Sequence, residues 1–238
     1  MPYQAVIFDL FGTLVDNFSL SRYDGIYAEM ANAVAAPYAD FRELFGETYR
    51  ERCLGVYTSI EDNIKAVCRR LDLMPTTAQI ERATTHRYRF IAQTLTPEQQ
   101  VLETLGFLKR EGFRLGLISD CGPDVPFLWN NCPLAALVDA PVFSCQEGRV
   151  KPHIELYQKT ARQLGVVPQS CVYVGDGSSQ ELTGATAAGF LPILRRIPLE
   201  DVYDKDRIEA NQWQGHSISE ISELPQALRR LRDKTVTQ

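Results

Sequence analysis

No stretch of this 238-residue chain stays apolar for the ~18 residues that a helical membrane crossing requires. A membrane partner is therefore not expected. The opening residues do not read as a secretory leader either: Asp9 interrupts their apolar stretch, and the first basic side chain is Arg22. Positive charge is in deficit, with 25 Lys and Arg against 30 Asp and Glu, a net charge of −5. Such a chain offers no broad basic surface to nucleic acid. Paired cysteines are missing too. Cys53, Cys68, Cys121, Cys132, Cys145 and Cys171 form no C-x-x-C pair and no zinc spacing. We read them as free, mostly buried thiols in a reducing, cytoplasmic compartment, and as small core residues rather than nucleophiles. His86, His153 and His216 lie far apart in the sequence, and none is given a role in a site. There is no internal repeat and no low-complexity tract.

What is present is a globular composition, 45% hydrophobic and 23% charged, too apolar for disorder. At ~150 residues per domain, the length suits one large domain or a core with an insertion. Short apolar segments at Tyr3–Phe8, Phe113–Ile118, Val142–Phe143, Cys171–Val174 and Phe190–Leu194 suit strands buried on both faces. Helical segments separate them, ending at Gly112, Gly165 and Gly189, and a closing helix runs over Ile221–Leu231. Thr96-Pro97-Glu98-Gln99 reads as a helix start, with Thr96 capping and Gln99 completing a capping box. Strands alternating with helices predict an α/β fold: a doubly wound parallel, Rossmann-like sheet with helices on both sides. From Ser19 to Leu95 the pattern differs. Apolar residues recur at helical spacing, as at Ile60, Ile64, Val67 and Leu71, with breaks near Pro37, Gly55 and Met74-Pro75. About four helices are expected there. The division is then a core over 1–16 and 97–238 with a helical insertion over 17–96. Residues 195–216 read as charged and irregular.

In such sheets ligands bind beyond the carboxyl ends of the strands. The polar residues at those ends are Asp9 with Thr13, Ser119 with Asp120, Lys151, and Asp176 with Glu181. Carboxylates gathered in one crevice repel one another unless a cation joins them, and hard divalent cations take oxygen ligands. A lysine and two hydroxyls beside them suit an anion attacked by an oxygen nucleophile, and phosphate fits.

Four motifs in order resemble those of the haloacid dehalogenase-like hydrolases. They are Asp9-Leu10-Phe11-Gly12-Thr13 after an apolar strand, Ser119 ending the next strand, Lys151-Pro152, and Gly175-Asp176 followed by Glu181. The resemblance implies that Asp9 is the nucleophile and forms an acyl-phosphate. It implies magnesium held by Asp9, the backbone carbonyl of Phe11 and Asp176, with Glu181 ligating directly or through water. Ser119 and Lys151 would grip the phosphoryl oxygens, and Thr13 would position Asp9. The insertion would be a helical cap that closes over the site and selects a small phosphorylated substrate.

One position departs from the family's phosphatases. They carry an acid two residues after the nucleophile, where this chain has Phe11. Losing a general acid typically costs ~10²–10⁴ in rate. An aromatic residue there resembles the metal-independent 2-haloacid dehalogenases, as does Tyr157, six residues after Lys151. Asp176 speaks against that chemistry, because an unneutralised carboxylate opposes an anionic haloacid. Phosphonate cleavage would need a cap lysine, and Lys65 is the lysine the insertion contains. A degenerate member that binds ligand without turnover is the third alternative. The expected function is thus a magnesium-dependent phosphatase, with dehalogenase second. Asp120, the pairs Arg69-Arg70 and Arg195-Arg196, and His153 are read as surface or structural residues. Trp129 and Trp213 are read as core or loop anchors.

Overall fold

In a computed structural model, residues 3–16, 19–198 and 207–236 are described. Ala5–Phe8 (β1) is buried at every position, as its Ala-Val-Ile-Phe run requires of a central strand. The further strands are Arg114–Ser119 (β2), Ala140–Phe143 (β3), Cys171–Gly175 (β4), Leu191–Arg195 (β5) and His216–Ile218 (β6). They form one sheet in the order β3-β2-β1-β4-β5-β6, with every pairing parallel. Side chains alternate across it. Val6, Phe8, Val172 and Val174 join one apolar cluster, whereas Ala5, Ile7, Cys171 and Tyr173 join another on the opposite face. The predicted α/β sheet is therefore present.

Its helices are Leu20–Ala33 (α1), Tyr38–Glu47 (α2), Tyr49–Cys53 (α3), Ile60–Arg70 (α4), Thr77–Thr94 (α5), Gln99–Arg110 (α6), Asp124–Leu128 (α7), Ser144–Glu147 (α8), Ile154–Gln163 (α9), Glu181–Ala187 (α10), Ile208–Gln212 (α11) and Leu224–Val236 (α12). Between β1 and α6 the chain is helical, with five helices rather than four because α2 and α3 part at Thr48. In this stretch α1 packs on α2 and α5, and α4 packs on α2 and α5. The larger apolar cluster contains sheet residues and also Tyr23, Phe41, Phe45, Ile64 and Phe90 of these helices.

Two elements differ from the sequence reading. The capping box sits at the start of α5, where Gln79 N donates to Thr76 Oγ1 and Thr76 N donates to Gln79 Oε1. Helix α6 starts instead at Glu98 with no side-chain cap. The Thr96 hydroxyl is turned the other way, donating to Ala92 O at 3.4 Å, one of the carbonyls that the end of α5 leaves without a helical partner. The stretch read as irregular also contains α11 and β6, which adds an edge strand to β5 through Ile193 and His216. Three residues are too few for an alternation to show. Residues 199–206 of that stretch, and 17–18 at the start of the expected insertion, lie outside the described residues. All six cysteines are free, five of them buried and Cys145 partly so. Among the described residues no helix is long and apolar enough to cross a membrane.

Helix α5 meets α7 through a buried ion pair, Arg87 Nε to Asp124 Oδ2 at 2.7 Å, and a stacked pair, Tyr88 on Phe127, with ring centroids 4.8 Å apart. Removing one partner of a buried pair strands the other charge. Asp124→Ala is expected to lower the unfolding free energy by about 3–5 kcal/mol, read from the shift of the urea midpoint. Asp124→Leu combined with Arg87→Met should recover most of that loss.

Candidate active site

Sheet order decides where the site forms. The chain reverses direction of winding between β1 and β4, and the crevice beyond those two strands is the switch point of such a sheet. Asp9 follows β1 directly, and its N–H donates to Val174 O at 2.9 Å, extending the ladder by one residue. The chain then turns, with Leu14 N donating to Leu10 O at 2.8 Å and Gly12 at φ 79. Gly12 has two reasons to be glycine. Its φ is left-handed, and a Cβ there would stand 2.0 Å from Asp176 Oδ2. The loops after β1 and β4 therefore touch through a missing side chain.

Around Asp9 the expected residues converge. Lys151 Nζ donates to Asp9 Oδ1 at 2.6 Å and to Glu181 Oε2 at 2.7 Å. Thr13 Oγ1 donates to Asp9 Oδ2 at 3.0 Å. Asp9, Asp176 and Glu181 each offer an oxygen within 4.8 Å of the others, and all three residues are buried. Ser119 is fully buried at the end of β2, and among the described residues its Oγ has no hydrogen-bond partner. A buried hydroxyl left unpaired is a donor still open to a partner.

Among the described residues the charges are unbalanced. Three carboxylates face the cations of Lys151 and Arg207. Burial pushes the pKa of Asp9 up, and the neighbouring Asp176 adds to this, although Lys151 opposes it. Burial likewise holds Glu181 well above the usual carboxylate range. Burial works against the Lys151 ammonium too, but the charges of Asp9 and Glu181 outweigh it and raise its pKa well above ordinary. A set of buried, oxygen-only donors with surplus negative charge fits a hard divalent cation. The cluster is able to hold a metal ion.

A cavity of about 430 Å³ opens beside this cluster. Tyr49 and Arg50 of α3 line it, with Asp120, Lys151, Ser178 and Arg207. The helical stretch between β1 and α6 thus contributes to its wall. Asp120 is not a solvated surface acid. It is partly buried, accepts from Lys151 N at 3.0 Å, and burial raises its pKa. Arg195 is not a solvated residue either: its NH1 donates to the carbonyls of Gly12 at 3.0 Å and Thr13 at 2.9 Å, bracing the loop after β1. Arg196, Arg69 and Arg70 are exposed, as read.

Sequence reasoning missed Tyr173 and Arg207. Tyr173 OH donates to Glu181 Oε2 at 2.9 Å from within β4, and a tyrosine in an otherwise apolar strand was its signal. Arg207 pairs with Asp176, and nothing in its local sequence announces that. Tyr157 is buried outside the cavity lining, its OH donating to Glu181 O at 2.9 Å. It supports the start of α10. His153 caps α9 by accepting from Glu155 N. Lys65 is exposed on α4 and does not line the cavity. Trp129 is buried edge-on to Phe143, and Trp213 Nε1 donates to His216 O, so both are anchors. Phe11 is 9% exposed and belongs to the larger apolar cluster.

Comparison with known proteins agrees with this arrangement. Residues 3–189 match the model of the haloacid dehalogenase-like hydrolase family. The chain is 31% identical over 137 residues to a glyceraldehyde 3-phosphate phosphatase of Methanothermobacter thermautotrophicus, covering 56% of this chain and 59% of that protein. It therefore spans somewhat over half the length of that relative. A protein of the same description from Methanocaldococcus jannaschii is 23% identical over 96% of this chain and 98% of its own length. Among solved structures, a 2-haloacid dehalogenase from Pseudomonas syringae pv. Tomato superposes with a TM-score of 0.67 at 22% identity, covering 96% of this chain and 99% of that one. A likeness at that identity speaks for the fold alone. With its motifs converging at one sheet edge and the family model matching most of its length, the chain belongs to the haloacid dehalogenase-like hydrolases.

Proposed function

We propose that this protein is a magnesium-dependent phosphatase of a small phosphorylated metabolite, working in the cytoplasm through a phospho-intermediate on Asp9. The observation that carries the proposal is the Asp9 carboxylate, buried, held by Thr13 and Lys151, and set against Asp176 and Glu181. The names of the archaeal relatives support phosphate esters as substrates. In this reading one Asp9 oxygen attacks phosphorus, the bond to the leaving oxygen breaks, and an aspartyl phosphate forms. Water then attacks phosphorus, phosphate leaves and the carboxylate is restored. Lys151 and the unpaired Ser119 hydroxyl grip the phosphoryl oxygens. Thr13 keeps Asp9 oriented through its hydrogen bond. Asp9, the Phe11 backbone carbonyl, Asp176 and Glu181 would hold magnesium, which supplies the positive charge that lets an anionic carboxylate approach an anionic ester. Residues 17–96 act as the cap, with α3 facing the cavity. Phe11 supplies no proton, so the leaving oxygen departs without help from that position.

A panel of phosphate esters run beside chloroacetate, with magnesium and with EDTA, tests this. Phosphate release is expected, with a fall to background in EDTA. Halide release that survives EDTA would replace the proposal with dehalogenation. Against that alternative stands the charge at the site, where Asp176 and Glu181 accompany Asp9 and an anionic haloacid meets a carboxylate surplus. A protein that binds beryllofluoride with magnesium yet turns over nothing would be a ligand-binding member instead.

A further inference from the structure

Asp176 stands in the site with one carboxylate oxygen hydrogen-bonded and the other in an ion pair. Oδ1 accepts from Ser178 N at 3.1 Å. Oδ2 is the oxygen that faces the Asp9 loop, since it lies 2.0 Å from where a Gly12 Cβ would be. Arg207 holds that same oxygen, and its NH1 also donates to the Asp176 carbonyl at 3.4 Å. Both side chains are buried, 3% and 0% exposed. A guanidinium stays charged at any pH a protein survives. A divalent cation brought to the same oxygen would meet it with little water between them, where like charges repel strongly.

Resting on the reading of Asp9, Asp176 and Glu181 as cation ligands, we propose that Arg207 competes with magnesium for Asp176. The guanidinium neutralises the aspartate in the metal-free protein, and metal loading drives it off that oxygen. It has somewhere to go, because Arg207 already lines the cavity together with Lys151. Released there, it faces the position of an incoming phosphoryl anion, so the same cation exchanges a carboxylate partner for a substrate one. Magnesium binding is consequently weaker than the carboxylate set alone would give, and substrate anion favours it.

Calorimetric titration of magnesium chloride into the wild type, Arg207→Gln, Arg207→Lys and Asp176→Asn measures this without turnover. Arg207→Gln is expected to bind magnesium at least ten-fold more tightly than the wild type. Arg207→Lys, which keeps the charge on a more mobile stem, should fall between them. Asp176→Asn should bind least. Melting curves give a second readout. In EDTA, Arg207→Gln should melt below the wild type because Asp176 has lost its partner, and magnesium should raise its Tm by more. Equal or weaker magnesium binding in both arginine variants would overturn the role of Arg207 and leave the ligand set standing. If none of these proteins binds magnesium, the wild type included, the ligand set is overturned as well. If Arg207→Gln does not fold, the comparison of Arg207→Lys with the wild type decides.

Discussion

Asp9→Asn is expected to lower kcat on phosphate esters by about 10⁴-fold or more, as removal of a covalent nucleophile does elsewhere. The fold should survive it. Asparagine keeps the shape and retains an oxygen for Thr13, while Lys151 keeps Glu181 as its partner. The sign of the stability change follows from the pKa. Burial and the charge of Asp176 raise Asp9, so its ionised form is the costly one in the metal-free protein. A carboxyl raised by folding contributes stability below its unfolded pKa and loses it as pH rises through the folded value. At neutral pH in EDTA the variant should therefore melt at or above the wild-type temperature. Measured kcat and Tm together separate loss of chemistry from loss of structure. Turnover retained within ten-fold would remove Asp9 from the mechanism.

Phe11→Asp is the second large effect. The wild type should hydrolyse acyl and aryl phosphates well and alkyl phosphates poorly, because good leaving groups depart unprotonated. An aspartate at position 11 should raise turnover of alkyl phosphates by ~10²–10⁴ while leaving acyl phosphates within a few fold. The substitution removes an aromatic ring from the larger apolar cluster, so a loss of about 3 kcal/mol or more accompanies it. Rates must be compared per folded molecule, with the urea midpoint measured alongside. The leaving-group profile is the decisive readout. No gain on alkyl phosphates would mean that protonation comes from elsewhere. Asp120 is then the group to examine, since it lines the cavity and burial raises its pKa.

The parts of the molecule that were legible in the sequence share a cause. Asp9, Ser119 and Asp176 each close an uninterrupted apolar run, and a parallel sheet places all such ends at one edge. Lys151 is legible because Pro152 and the following helix fix its place in the chain. The strand and helix alternation pointed to the sheet, and the helical spacing of Ile60, Ile64 and Val67 pointed to α4. What stayed hidden depends on contacts across the fold. Arg207 reaches Asp176 from beyond β5, and Arg195 reaches back to carbonyls of the first loop. Charged residues in a charged stretch carry no local mark of either partner. Asp120 beside Ser119 reads as a solvated surface acid, but it accepts from the Lys151 backbone, a contact from a distant loop. Thr96 misled for a local reason, since a threonine before Pro-Glu-Gln satisfies the pattern of a cap while its hydroxyl closes the helix behind it.

The contact between Gly12 and Asp176 has a consequence for how this site fails. A single methyl group at position 12 would remove no charge, no donor and no acceptor, yet it would need the space in which an aspartate oxygen rests. The two loops would have to part, and every distance among the acids would change together. Function here is vulnerable to bulk at a residue that performs no chemistry. An inventory of reactive groups would pronounce such a variant intact.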